Sequence, residues 1–112
     1  MQKVETVKKL LKSLEEKTGA PYRYDHFRQS EAVPPPFVVW RKIATGGQPA
    51  DGGTYYYEPG IDIELYADTE EDMSELMTQL RGLLDDEEVF YQITADTVYI
   101  EDQDFYESLF EL

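Results

Sequence analysis

Residues 60–90 read GIDIELYADTEEDMSELMTQLRGLLDDEEVF, and two periodicities meet inside them. Ile61, Ile63 and Leu65 alternate with Asp62, Glu64 and Tyr66, a period of two that gives a strand one apolar face. Met73, Leu76, Met77, Leu80 and Leu83 then recur at three and four, which puts them on one stripe of a helix. Thr69 is placed to cap that helix with Asp72 as a weak capping-box acid, and Glu70, Glu71 and Asp72 suit the positive end of its dipole. The acidic run Asp85-Asp86-Glu87-Glu88 ends it. A strand with one apolar face and a helix with one apolar stripe bury each other, which fixes a two-layer, sheet-plus-helix design.

The rest of the chain extends that design. With 112 residues the expectation is one domain spanning 1–112, large enough for a modest core without metal or disulfide support. Val4, Val7, Leu10, Leu11 and Leu14 make residues 3–18 an amphipathic helix, stopped at Gly19 and Pro21. Glutamates interrupt its polar face and no aromatic residue sits on the apolar one, which argues against a membrane-surface helix. YRYDHF (22–27) reads as a short strand. Pro34-Pro35-Pro36 gives a stiff lead-in to the strand FVVWRKI (37–43), a reading preferred to an SH3-type ligand. ATGGQPADGG (44–53) is a loop without the Lys-Ser/Thr end of a phosphate-binding loop. Tyr55-Tyr56-Tyr57 resumes strand character, and Pro59-Gly60 is a turn or irregularity before Ile61. Beyond the second helix come VFYQIT (89–94), a turn near Ala95-Asp96-Thr97, VYIED (98–102) and a last strand over 105–111. In that strand Tyr106, Ser108 and Phe110 oppose Phe105, Glu107, Leu109 and Glu111, with the inward face left open. The class is α+β in the order α-β-β-β-α-β-β, a mainly antiparallel sheet with both helices on one face.

Charge and composition narrow the function. The net charge is −14, and it is uneven: residues 1–50 carry nine Lys/Arg against five Asp/Glu, whereas 51–112 carry Arg81 alone against nineteen acids. Such an acidic half disfavours specific nucleic-acid binding, which relies on neutralising phosphates, and repels anionic lipid. There is no cysteine, so disulfides and thiolate metal sites are excluded. No run reaches membrane-spanning length and the first residues lack a signal-peptide core, so a soluble, intracellular setting is expected at synthesis. His26 is the only histidine. Beside Asp25 it suggests a catalytic pair, but neighbours on a strand point to opposite faces, so the two are badly placed to meet. Asp62 and Glu64 share a strand face and suit a hard cation, yet nothing else completes a site. The expectation is a chain that is not an enzyme and needs no cofactor or metal.

Several words of the sequence together resemble the tail-completion (tail-terminator) proteins of tailed bacteriophages and prophages of Gram-positive hosts. They are Pro34-Pro35-Pro36-Phe37 leading into Val38-Val39-Trp40, Ala50-Asp51, Tyr55, and Ile63-Glu64-Leu65-Tyr66 before an acidic-start helix. Tyr99-Ile100-Glu101 and the run Phe105 to Glu111 close the likeness, which spans nearly the whole chain. The glycine-rich 44–53 loop and Pro59-Gly60 depart from it. The resemblance implies a structural, non-catalytic subunit of a ring, usually hexameric, between the major tail tube protein and the head-completion (neck) proteins. It would be made in the host cytoplasm and end in the virion, with DNA passing through the ring. Gly46, Gly47, Asp51, Gly52, Gly53 and Tyr55 are then the expected subunit or partner contacts. Asp62, Glu64, Asp85, Asp86, Glu87 and Glu88 are the candidate channel-facing acids, because like charge lets phosphate slide past. The alternative is an acidic inhibitor or immunity-type protein that blocks a basic partner.

Overall fold

The computed structural model describes residues 2–27, 33–43 and 60–112. The elements run α1 (Gln2–Thr18), β1 (Tyr22–Tyr24), β2 (Phe37–Ile43), β3 (Gly60–Ala67), α2 (Glu70–Asp86), β4 (Gln92–Ile100) and β5 (Phe105–Glu111). This is the expected α+β order. The strands form one sheet in the order β1-β2-β3-β5-β4, antiparallel throughout except for the parallel β1–β2 pair.

Both helices pack on one face of the sheet. Val4, Val7, Leu10, Leu11 and Leu14 of α1 are buried, as are Met73, Leu76, Met77, Leu80 and Leu84 of α2. They meet Val38, Trp40, Ile61, Ile63, Leu65, Ala67 and Phe110 from the strands in a single core. Alternation thus sends every second residue of β2, β3 and β5 into this layer. The inward face of β5, open in the sequence reading, is Tyr106, Ser108 and Phe110. The stripe of α2 differs at one position: Leu84 is fully buried and Leu83 only partly.

The helix ends follow local chemistry. Thr69 Oγ1 accepts the Asp72 N–H at 3.0 Å, the expected cap of α2. Gly19 stands at φ +79° and its N–H reaches Glu15 O at 2.7 Å, closing α1 with the left-handed residue such a cap requires.

Two expectations need correction. The strand over 22–27 stops at Tyr24, because Asp25 turns to φ 70°. The turn near 95–97 is no chain reversal. β4 runs on through it as one strand with two register shifts. Thr97, at φ 54°, turns its N–H onto Ser108 Oγ at 2.8 Å, so the kink is absorbed as a bulge. The reversal comes at 101–104, where the Gln103 and Asp104 N–H groups both reach Ile100 O. Pro35 and Pro36 form a bend that leads into β2. The 44–53 loop and the strand character at Tyr55-Tyr56-Tyr57 lie outside the described residues. Among the described residues no helix is long and apolar enough to cross a membrane.

The strand order also sorts charge in space. β1 and β2 lie on one side of β3, with α1 against β1; β5 and β4 lie on the other, with α2 against β3 and β5. The lysine-rich first part of the chain therefore makes one flank and the acidic second part the opposite one.

Candidate functional site

The face of the sheet away from the helices carries its own side-chain layer. Register places Phe37 opposite Tyr66, Val39 opposite Glu64 and Arg41 opposite Asp62. On the other side of β3, Tyr66 faces Glu107, Glu64 faces Leu109 and Asp62 faces Glu111. Period-two alternation makes this face half aromatic and half charged.

The aromatic part is a cluster. Phe37 stacks on Tyr66 with centroids 4.8 Å apart, and Phe105 meets both edge-on at 5.9 and 5.3 Å. Phe27 adds an edge contact to Phe37 at 5.3 Å. Such offset and edge-on contacts suit the ring quadrupoles. These rings line a concavity of about 420 Å³ together with Val39, Ile100, Asp25, His26, Arg41, Glu64 and Glu107.

The charged part is a chain of contacts. The Arg41 guanidinium donates to Glu64 Oε2 through Nη1, to Asp25 Oδ1 through Nε (3.3 Å) and to the Asp25 carbonyl through Nη2 (3.0 Å). Burial disfavours its charge, but the bonds to Glu64 and Asp25 more than offset this, so its pKa stands above the ordinary value. The Tyr66 hydroxyl lies 2.7 Å from Glu107 Oε2 and 3.0 Å from Glu64 Oε1. Burial, then the Glu107 bond, pushes its pKa far up, so it is a neutral phenol in water of any ordinary pH. Asp62 sits at the edge of this layer with Oδ1 buried and without a partner. Burial, then Glu111 and Glu64, raises its pKa.

Asp25 and His26 do meet, which corrects the sequence reading. The left-handed turn at Asp25 takes both residues off the strand, and His26 Nδ1 comes within 3.0 Å of Asp25 Oδ2. The bond to His26, followed by that to Arg41, holds the Asp25 carboxyl below its usual range. Both side chains are exposed, and among the described residues the cavity lining contains no serine, threonine or cysteine. Among the described residues no group of His, Asp and Glu is arranged to hold a metal ion.

The six candidate acids are not brought together. Asp62 and Glu64 lie on the open face. Asp85, Asp86, Glu87 and Glu88 are exposed at the end of α2, where Glu87 and Glu88 border a shallow concavity with Lys3 and Leu112. Gly46, Gly47, Asp51, Gly52, Gly53 and Tyr55 lie outside the described residues. Arg41, Tyr66, Glu107, Phe37 and Phe105 were not singled out in the sequence. Their signal was present: Phe37, Val39 and Arg41 alternate, as do Asp62, Glu64 and Tyr66.

No family model matches the chain, and neither the curated proteins nor the solved structures give a match.

Proposed function

We propose that this chain is a structural subunit of a phage tail-completion ring, joining the tail tube to the head-completion proteins. The observation that carries the reading is the sorting of charge onto opposite flanks of the sheet, basic at α1, β1 and β2 and acidic at α2, β5 and β4. A ring built head to tail needs two different, complementary surfaces on each subunit, and these flanks supply a pair. The outermost strands add the means of contact: among the described residues the outer edges of β1 and β4 are unpaired, and a free edge is a template for a neighbour's strand. The sequence words from Pro34 to Trp40 and from Ile63 to Tyr66, which resemble the tail-completion family, point the same way.

In this reading the acids at the end of α2 and on the open face keep DNA from sticking as it passes. The virion is the final location. Light scattering across concentration and salt, with negative-stain microscopy of the same samples, tests the proposal. Rings of one size, weakening as salt screens the flanks, are expected. A chain that forms no ring alone or on added tail tubes overturns it. A stoichiometric complex of a single copy with a basic protein would then favour the inhibitor reading.

A further inference from the structure

We propose that the open-face cavity is a socket for an arginine side chain of a partner protein other than this chain. The inference concerns what the open face holds, not how copies of the chain meet, and it stands without the ring.

The cavity comes first. Its volume of about 420 Å³ falls within the range of ligand-sized pockets, and Phe27, Phe37, Tyr66, Phe105, Val39 and Ile100 give it an apolar lining. The charge in its lining selects the occupant. Among the described residues of the lining, Asp25, Glu64 and Glu107 stand against Arg41, so the concavity joins an apolar surface to a net negative one. Arg41 serves Asp25 and Glu64. Tyr66 has one proton for two carboxylates, and the nearer is Glu107 at 2.7 Å. The other oxygen of Glu107 is left for a donor from outside.

An apolar stem ending in a cation satisfies both parts. Arginine fits better than lysine, because a planar guanidinium lies on aromatic faces, sheds water more readily and forks onto carboxylates. The site already holds one guanidinium between two carboxylates, that of Arg41 between Asp25 and Glu64. Among the described arginines of this chain, Arg23 is an unsuitable occupant, since it lies over the Phe27 ring at 5.3 Å and donates to the Tyr22 carbonyl. Arg81 belongs to α2, on the other side of the sheet. The net charge of −14 likewise draws a basic partner in preference to a second copy.

The test is a nuclear magnetic resonance titration of the whole chain at low salt with N-acetyl-arginine-N-methylamide, beside its uncharged citrulline counterpart. Saturable shifts at Tyr66, Phe105 and Glu107 are expected, with affinity on the order of millimolar for so small a ligand and severalfold weaker binding of citrulline. Glu107→Gln should weaken the arginine amide severalfold, whereas Glu111→Gln, on the same face but outside the cavity, should not. Phe105→Leu gives a second route to the same loss if Glu107→Gln disturbs the fold. Equal shifts from both amides, shifts lying elsewhere, or indifference to both cavity variants would overturn the proposal. Ring formation is read separately by light scattering, so either idea can fail alone.

Discussion

Tyr66 and Glu107 stand opposite each other across the β3–β5 pairing and join at 2.7 Å, although 41 residues separate them in the chain. That bond ties the middle strand to the closing hairpin on the face the helices leave open. The same hydroxyl lies 3.0 Å from Glu64, so one proton keeps two carboxylates in reach of each other.

Removing that proton should cost stability. Tyr66→Phe is expected to destabilise the fold by about 1 kcal/mol, the typical net worth of one such bond. The urea midpoint should fall with no change in slope. The pH dependence carries a second sign. Tyr66 has a folded pKa raised by burial and by Glu107, so the unfolded chain ionises first as pH climbs past about 10. Its contribution is complete below that pH and is lost above it. The wild-type protein should therefore lose stability on the alkaline side more steeply than Tyr66→Phe, in parallel urea titrations from pH 8 to 11.

Asp62 works in the opposite sense at neutral pH. Its Oδ1 is buried without a partner, and burial, Glu111 and Glu64 raise its folded pKa. The folded state then binds the proton more tightly than the unfolded chain. Stability falls as pH rises from the unfolded value of about 4 through the folded one, and the penalty persists at pH 7. Asp62→Asn should raise the melting temperature by a few degrees at pH 7, with no gain below about pH 4. A variant that is less stable at pH 7 would mean that the attraction of Arg41 outweighs the other effects.

Ser108 is the one polar side chain in the buried layer of the described residues. Its hydroxyl accepts the Thr97 N–H at 2.8 Å and lies 3.3 Å from Met77 Sδ. It thus satisfies the amide that the β4 bulge turns away from the ladder. Ser108→Ala should cost about 1–3 kcal/mol, because a donor is left orphaned beside the core. Hydrogen exchange should quicken at Thr97 before it does in β3.

The elements were legible where a single periodicity dominates. Leu10 and Leu14 on α1 and Ile61, Ile63 and Leu65 on β3 declare their faces by spacing alone. The β4 bulge was not legible, because Ala95-Asp96-Thr97 has the composition of a turn. Only the serine opposite, 11 residues on, keeps the strand going. The Asp25–His26 contact was hidden for a related reason: strand alternation does not hold across a residue in a left-handed conformation. The open-face layer was half legible. Asp62 and Glu64 could be placed on one face, but Tyr66, Arg41 and Glu107 meet only through strand register, which is set by pairings far apart in sequence.

The α2 stripe gives the sharpest comparison of pattern with packing. Spacing alone admits either Leu83 or Leu84 after Leu80, since three and four residues both return to the same side of a helix. Packing separates them: Leu84 has no exposed surface, while Leu83 is only partly covered. The chain at Val89 also folds back here, its N–H reaching Leu84 O at 2.9 Å, so the end of α2 is held where Leu84 points inward. Leu84→Ala should cost about 2–5 kcal/mol, through lost transfer energy and the cavity left behind. Leu83→Ala removes the same atoms from a half-covered position, with water able to enter, and should cost clearly less. Urea unfolding of the two variants side by side decides it. Equal losses would mean that Leu83 is as central to the core as the helical spacing alone suggests.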